Sequence, residues 1–198
     1  MIIRTAIGHF RNKVLKSRGG IWVPLFDAFV PLHRNVFAVL YQGMDPLPLV
    51  IPGSNIVTDT GDIYYAQRGA AASPTNAFGI HELFTGRESS STPAKGDSRA
   101  NYDSLAISGT QKAHTATYPK VNDADADNTG TKGVDVVTYL ATYAKADFNA
   151  TDITHGIITN TSPGGSEPIL CGYQFGAAFD KTADDTLKVF VNHEQRGV

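Results

Sequence analysis

The last third of the chain reads Asp152-Ile-Thr-His-Gly-Ile-Ile-Thr-Asn160, then Ile169-Leu-Cys-Gly-Tyr-Gln-Phe-Gly-Ala-Ala-Phe179, then Leu187-Lys-Val-Phe-Val-Asn-His193. Polar or small residues alternate with apolar ones along each stretch, and turns rich in Gly, Pro, Asn and Asp separate the stretches. Alternation with a period of two is the pattern of a half-buried strand. The three stretches therefore predict a β-meander. They carry no obvious chemistry, which indicates a surface that binds and not a cleft that reacts.

Strand signals also occur upstream, from Asn35 onward. Val36-Phe-Ala-Val-Leu-Tyr41 is a continuous apolar run, as expected of a fully buried strand. The prolines around residues 47–51 confine that stretch to a sheet edge or an extended linker. Thr60-Gly61-Asp62 predicts a hairpin turn in which Gly61 adopts positive φ. Further strands are predicted at residues 54–58, 62–67, 78–84, 105–108 and 112–118.

Residues 134–145 fit two patterns. At helical spacing, Val136, Tyr139, Leu140 and Tyr143 share a face, whereas at strand spacing alternate residues line two faces. The β-branched and aromatic residues favour a strand. With this segment there are about eight to ten strands at hairpin-like spacing, which predicts an all-β protein, an antiparallel β-sandwich or jelly roll.

The composition of the chain limits its size class and its partners. The 198 residues, 41% hydrophobic and 18% charged, predict one domain, with or without an arm. The 19 glycines and 10 prolines suit a turn-rich β protein. The net charge of −2 gives no reason to expect nucleic acid as a partner. No apolar run has the length of a membrane span, and basic residues interrupt any secretory signal at the N-terminus.

Positive charge is concentrated at the N-terminus, where five basic residues precede the first acidic one, Asp27. Pro24 and Pro31 interrupt the apolar residues nearby, so an irregular path is expected. These features predict a basic N-terminal arm over residues 1–34 and a β-sandwich domain over residues 35–198. The competing interpretation is that the segment is an ordinary part of the core. The candidate partner-binding residues are Arg4, Arg11, Lys13, Lys16, Arg18, Trp22 and Phe26.

No motif recommends a catalytic, cofactor or metal site. The run Asp123, Asp125, Asp127 resembles a Ca²⁺ loop, but its glycine is eighth and its twelfth position is Val134, so the EF-hand spacing fails. The six histidines lack metal-ligand spacing, and His81 and His114 are expected to be satisfied or half-exposed residues in strands. Phosphate-loop and nucleophile-elbow motifs are missing from the sequence, so we expect no enzyme.

Three other features have structural or binding interpretations. Cys171, the single cysteine, has apolar neighbours and is expected to be a small buried side chain. Polar loops at residues 85–101 and 120–132 are long enough, beyond about 12–15 residues, to bind something or stay disordered. The tyrosines could line a sugar-binding face, although a buried ring with a solvated hydroxyl at a sheet edge is more common. They are Tyr64, Tyr65, Tyr102, Tyr118, Tyr139, Tyr143 and Tyr173.

Residues 55–67, 154–160 and 181–189 also carry a family resemblance. The segments Asn55-Ile-Val-Thr-Asp-Thr-Gly-Asp-Ile-Tyr-Tyr-Ala-Gln67, Thr154-His-Gly-Ile-Ile-Thr-Asn160 and Lys181-Thr-Ala-Asp-Asp-Thr-Leu-Lys-Val189 resemble those of small β-rich structural proteins of tailed double-stranded DNA bacteriophages. The resemblance spans residues 50–193 and implies no catalytic residues.

The resemblance implies a virion protein and leaves its position in the particle open. The leading expectation is a capsid cement (decoration) protein on the capsid surface, which binds the major capsid protein and acts as a homo-oligomer, a dimer or trimer. A head-to-tail connector, or neck, and a tail component are the alternatives. A carbohydrate-binding attachment module is a third possibility, based on the tyrosines and the long loops.

Overall fold

The computed structural model describes the backbone of residues 10–11, 14–18, 21–26, 29–30, 34–42, 49–121, 136–161 and 164–194. Side chains are described within those ranges from residue 36 to residue 193. The strands are β1 (Phe10–Arg11), β2 (Val14–Arg18), β3 (Ile21–Phe26), β4 (Phe29–Val30), β5 (Arg34–Tyr41), β6 (Leu49–Val57), β7 (Phe78–Phe84), β8 (Lys112–Ala113), β9 (Lys120–Val121), β10 (Val136–Tyr143), β11 (Ala150–Asn160), β12 (Ile169–Lys181) and β13 (Thr186–Glu194). The described helix is α1 (Asp59–Gly69), and two short 3₁₀ turns are at Arg99–Asn101 and Asp103–Leu105. The all-β prediction is confirmed.

Nine strands form one antiparallel sheet in the order β8-β7-β11-β12-β6-β5-β13-β10-β9. The predicted strands at residues 36–41, 78–84, 153–159, 169–179 and 187–193 all lie in this sheet. The ambiguous segment forms β10, a strand, and pairs with β13 from Val136↔Glu194 to Tyr143↔Leu187. The β-branched and aromatic residues therefore predicted a strand here correctly.

The sheet curls so that its two edges meet at residues 112–121, which we call the seam segment. Its first part, β8, pairs with β7, and its last part, β9, pairs with β10. Between them, the Thr115 N–H donates to the Leu140 carbonyl at 2.7 Å. One stretch of chain thus covers the exposed edges of both β7 and β10, which would otherwise be open to pairing with other chains.

Apolar side chains fill the inside of the curled sheet. The inner core draws on β5, β6, β7 and β10 to β13, so the two halves of the sheet face each other across it. Phe37, Leu140 and Phe190 form a smaller cluster on the outer face of β5, β10 and β13. Phe84, Tyr102, Ile157 and Ile169 form another cluster, outside β7, β11 and β12. Burial of these residues provides the main driving force for folding.

The predicted hairpin around Gly61 is wrong, because this segment forms α1. Thr58 is its N-cap, and the Thr58 hydroxyl accepts a hydrogen bond from the Gly61 N–H at 3.0 Å. Asp59 and Asp62 lie in the first turn and Arg68 in the last, as the helix dipole favours. Gly61 serves close packing: a Cβ there would lie 2.2 Å from the Leu170 carbonyl oxygen of β12. Sequence reasoning took a packing glycine for a turn glycine.

Of two predictions about prolines, the edge position is confirmed for residues 49–51 and the irregular N-terminal path needs correction. Residues 49–51 belong to β6, which is an interior strand of the sheet. This end of β6, including Pro52, pairs only with β5, because pairing with β12 begins at Gly53. The proline therefore lies where β6 has a single neighbour, which is where a strand tolerates it. In the N-terminal region the described residues are paired: β1 with β4 and β2 with β3. Pro24 lies opposite Leu15, beside a register shift, so a bulge accommodates it.

The strands predicted at residues 105–108 and 112–118 are mostly turns. Asp103–Leu105 is a 3₁₀ turn, Ala106 forms one bridge to Phe84, and only Lys112–Ala113 of the second stretch is a strand. The short apolar runs in these two segments contact the edge of the sheet but do not form continuous strand pairing with it. Of the polar loop at residues 120–132, Lys120–Val121 forms β9, and residues 122–132 lie outside the described residues. Within the described residues, α1 and the 3₁₀ turns are all too short or too polar to cross a bilayer.

Candidate functional site

The long loop between β7 and β8 is the best candidate for a binding site, and two buried ion pairs hold it. We call residues 85–111 the braced loop. In the first pair, Arg87 binds Asp97 in a bidentate manner, with Nε–Oδ2 at 2.8 Å and Nη2–Oδ1 at 2.6 Å. The Tyr102 hydroxyl and the Ala94 N–H also donate to Asp97. Both side chains of the pair are almost fully buried, at 8% and 3% exposed.

The second pair joins the braced loop to the sheet. Arg99 donates from Nε and Nη2 to both oxygens of Glu82 on β7, each at 2.8 Å. Its Nη1 donates to Asp103, and the Gln111 side chain donates to Glu82 at 3.2 Å. Planar guanidinium groups suit such bidentate contacts, in which geometry as well as charge fixes the pair.

Aromatic packing completes the brace. Tyr102 is fully buried and lies against Phe84 at a ring-centroid distance of 5.2 Å. A Cβ on Gly172 of β12 would lie 2.4 Å from the Tyr102 hydroxyl, so the glycine leaves the space that the ring occupies. The Tyr102 ring therefore anchors the loop to the outer face of the sheet.

The tip of the braced loop, residues 88–96, is mostly exposed and is also held in place. Arg87 Nη1 donates to the Ser89 hydroxyl at 3.0 Å, and the Thr92 N–H donates to the Ser90 hydroxyl at 3.2 Å. His155 on β11 lies beneath the tip, and its Nε2 donates to the Ser91 carbonyl at 2.6 Å. The tip therefore presents hydroxyl groups and backbone in a fixed arrangement.

The charges of the first ion pair respond to this environment. Burial alone would raise the pKa of Asp97, but hydrogen bonds from Arg87, the Ala94 N–H and Tyr102 outweigh it and hold that pKa below its usual value. The hydrogen bond to Asp97 raises the pKa of Arg87. Burial lowers the pKa of His155, opposed by its bond to the Ser91 carbonyl. The tip is thus held by charged groups beneath it and one neutral imidazole.

A pocket of about 450 Å³ opens beside the second ion pair. Its lining comprises Glu82, Arg99, residues 106–109 and Gln111. Gly109, at φ +80°, follows Ser108 in the turn that forms one wall. The carboxylate and guanidinium at the pocket already bind each other, so they shape the wall and do not form a nucleophile and base. Such a pocket can accept a polar side chain or a small ligand by hydrogen bonds.

A second cluster lies inside the sheet and contains His81, His114, Tyr139, His193 and Tyr65. His81 is fully buried, and neither of its ring nitrogens has a hydrogen-bond partner. The expectation that His81 is hydrogen-bonded or half-exposed is therefore wrong, because His81 lies on the inner face of β7 and is buried in the core. His114 is half-buried, as expected, and lies 3.3 Å from the Phe78 carbonyl. Within the described residues, no group of three or more His, Cys, Asp or Glu side chains could hold a metal ion.

The candidate partner-binding residues are only partly described. Arg11 lies in β1, Lys16 and Arg18 lie in β2, and Trp22 and Phe26 lie in β3; for these the structure describes the backbone alone. Arg4 and Lys13 lie outside the described residues, as does the acidic run Asp123, Asp125, Asp127. The register β2–β3 pairs Arg18 with Ile21 and Ser17 with Trp22. The basic and aromatic candidates of this hairpin are therefore neighbours along one β-ribbon.

Among the tyrosines, four are buried and cannot form a sugar-binding face. Tyr102, Tyr139, Tyr143 and Tyr173 are at most 3% exposed, and burial raises the pKa of each hydroxyl. The hydroxyls of Tyr102 and Tyr143 bind Asp97 and the Thr110 carbonyl instead of water. Cys171 is fully buried as predicted, and burial raises its thiol pKa, so it is not a reactive thiolate.

The segment Lys181–Val189 has a structural role. Lys181 is 1% exposed, and its ammonium donates to the carbonyls of Lys145, Phe148 and Thr182. Asp185 accepts hydrogen bonds from the N–H and hydroxyl of Thr182 and so shapes the turn from β12 to β13. The Lys181–Val189 motif thus ties this turn to the one between β10 and β11.

Sequence reasoning missed the braced loop as an ordered site. The available signal was the number of charged residues in a loop of mostly small and polar residues, among them Arg87, Asp97, Arg99 and Asp103. Their pairing required the loop to fold back on β7, which spacing along the chain does not reveal. Comparison with protein-family models, curated proteins and solved structures finds no match for this chain.

Proposed function

We propose that this chain is a non-enzymatic cement protein of a tailed double-stranded DNA bacteriophage. It binds the major capsid protein and neighbouring copies of itself on the capsid surface and stabilises the DNA-filled head. The proposal starts from the resemblance of residues 50–193 to small phage structural proteins. The structure supports a role in adhesion through one observation, the pre-organised tip of the braced loop.

The tip supports this role because the folded protein already holds it in one conformation before any partner binds. Buried ion pairs are costly to assemble, since both charges lose water, and here two of them fix a loop that is otherwise polar. A surface held in its bound conformation loses less entropy on association. We propose that residues 88–96 contact the capsid protein directly.

The N-terminal hairpin provides the second contact in this proposal. Its basic residues suit an acidic capsid surface, and its aromatic residues, Trp22 and Phe26, are of the types that dominate binding energy at interfaces. Attachment at two points raises the effective concentration of each for its site. Deleting residues 1–26 is expected to weaken attachment while the curled sheet stays folded.

A pair of glycine substitutions tests the tip. A Cβ on Gly96 or on Gly164 meets no atom within 4 Å, and both residues are exposed, so an arginine fits at either without disturbing the fold. Gly96→Arg occludes the proposed surface, whereas Gly164→Arg lies in the turn from β11 to β12. In co-sedimentation with expanded capsids lacking the protein, we expect Gly96→Arg to bind at least tenfold more weakly than Gly164→Arg. Equal binding by both variants would remove the tip from the interface.

The stabilising role has its own test. Phage heads without the protein should release DNA at a lower temperature than intact heads, and adding back the purified protein should restore the difference. If both kinds of head release DNA at the same temperature, the protein is not a cement. Binding to the neck or tail alone would instead favour the connector or tail alternative.

A further inference from the structure

Ionisable rings occupy the interior where the two edges of the sheet meet. His81 on β7 packs edge to face on His114, with ring centroids 4.9 Å apart. His114 lies 5.2 Å from the ring of Tyr139, which lies 5.4 Å from His193. Neither ring nitrogen of His81 nor Nδ1 of His114 has a hydrogen-bond partner. A native core rarely leaves buried polar atoms unpaired, so these two imidazoles call for an explanation.

The groups facing the two imidazoles offer no negative charge. They are Tyr139 from β10, His193 from β13 and the carbonyl of Phe78, 3.3 Å from His114 Nε2. From α1, the Tyr65 hydroxyl lies 2.6 Å from His193 Nδ1 and 2.9 Å from the Tyr139 hydroxyl. In the part of the chain that is described, no carboxylate binds either imidazole. Other titratable or charged groups nearby are Tyr64, Arg68 and Cys171.

The closed sheet therefore favours the neutral form of both imidazoles. Burial lowers the pKa of His81 well below its usual value, and the neighbouring imidazoles of His114 and His193 lower it further. Burial also lowers the pKa of His114, partly opposed by its contact with the Phe78 carbonyl. Once exposed to water, each imidazole would regain a pKa of about 6.5.

The seam segment that carries His114 is held more weakly than the rest of the sheet. It has two register pairs with β7 and two with β10, whereas β10 and β13 share eight. Single backbone hydrogen bonds from the His114 N–H to the Gly79 carbonyl and from the Thr115 N–H to the Leu140 carbonyl supplement them. Two side-chain contacts add to these, the hydroxyl bond from Thr115 to Thr142 and the partly exposed ion pair between Lys112 and Asp147. Thr117 has φ +75°, a strained conformation for a β-branched residue. Elements with few backbone bonds and local strain open first.

We propose that the seam segment is an acid-sensitive closure of the curled sheet. Protonation of His81 and His114 releases residues 112–121 from β7 and β10, while the ladders from β11 through β13 remain paired. This inference concerns the fold itself and is independent of the proposed role on the capsid.

The size of the effect follows from proton linkage. Consider an imidazole that is neutral in the closed sheet and has a pKa of about 6.5 once the seam segment opens. Lowering the pH from about 7.5 to 5.5 then raises the equilibrium constant for opening by about tenfold. Two such imidazoles multiply it by about a hundredfold. Because protons bind preferentially to the open state, the seam segment is fully closed above about pH 6.5 and opens increasingly as the pH falls below that value.

Hydrogen exchange with mass spectrometry on the full chain tests the proposal. After correction for intrinsic exchange rates, peptides from residues 112–121 should lose between about tenfold and a hundredfold of protection between about pH 7.5 and pH 5.5. Peptides from β12 and β13 should keep theirs. An equal change across the whole sheet, or no change at residues 112–121, would overturn the proposal even without any variant.

Three variants assign the effect to its residues. His81→Leu, which keeps a similar volume, should reduce the acid response of residues 112–121 by about tenfold. His114→Leu should reduce it by up to about tenfold, because this imidazole is only half-buried. His155→Gln is the matched control, because His155 lies under the braced loop and not under the seam segment. Its acid response at residues 112–121 should equal that of the native chain. If His155→Gln abolishes the response, or if neither leucine variant reduces it, the two imidazoles do not control the seam.

Discussion

Single residues decide where this fold is strained and where it is held. Ala71 has φ +56°, a left-handed conformation that glycine adopts freely and alanine does not. It follows α1 in a Schellman motif, in which the Ala72 N–H bonds the Gln67 carbonyl and the Ala71 N–H bonds the Arg68 carbonyl. The chain therefore has a non-glycine residue at the position where helices most often end in glycine.

Ala71→Gly should accordingly stabilise the protein by about 1 kcal/mol. Ala72→Gly, the same change at the next residue, which is also exposed but lacks positive φ, should give no gain. There the glycine only adds freedom to the unfolded chain. Urea denaturation of both variants measures the difference. Loss of stability in Ala71→Gly would show that the conformation at this position is not a source of strain.

The buried ion pair of the braced loop makes an opposite prediction. Asp97→Asn removes the charge that compensates Arg87, and breaking a buried pair in this way should cost about 3 kcal/mol. Lys95→Gln breaks the exposed pair between Lys95 and Asp62, which are 39% and 57% exposed, and should cost under about 1 kcal/mol. Urea denaturation compares the two; equal costs would mean that the Arg87–Asp97 pair does not brace the loop.

At the scale of elements, sequence reasoning found what has a clear period. Alternation identified β11, β12 and β13, a continuous apolar run identified β5, and β-branched and aromatic residues identified β10. It missed α1, whose N-cap Thr58 and acidic first turn were masked by a Thr-Gly-Asp sequence typical of hairpins. It also missed the brace, because Arg99 and Glu82 are 17 residues apart and meet only through the fold of the loop. Contacts between distant elements leave no local pattern.

The two glycines of α1 test the packing of this helix. Gly61→Ala places a Cβ against the Leu170 carbonyl and the Val57 side chain and should cost about 1–3 kcal/mol. Gly69→Ala, where a Cβ meets no atom within 4 Å, should gain up to about 1 kcal/mol from helix propensity. Denaturation curves should therefore move in opposite directions. A shift in the same direction for both would mean that α1 does not lie this close to β12.

At the scale of the whole molecule, buried groups set the response to acid. Burial lowers the pKa of His81, His114 and His155, so their contribution to stability is complete above about pH 6.5 and is lost as the pH falls below it. The pKa of Asp97 is also depressed, so its contribution is complete above about pH 4 and is lost at lower pH.

The free energy of unfolding should therefore fall in two stages on acidification from neutral pH. Urea midpoints measured in steps from about pH 8 to pH 3 would resolve a first decline near pH 6 and a second near pH 4. A rise in stability between pH 7 and pH 5 would contradict the burial of neutral imidazoles.

The proposed function depends on this curled sheet being a repeated adhesive unit of a phage head. Quantitative mass spectrometry of purified particles, with the ratio of this chain to the major capsid protein as the readout, tests that claim most directly. A cement protein should be present in a fixed ratio of the same order as the capsid subunits. A small fixed number of copies at one vertex or in the tail, or none in the particle, would contradict the account.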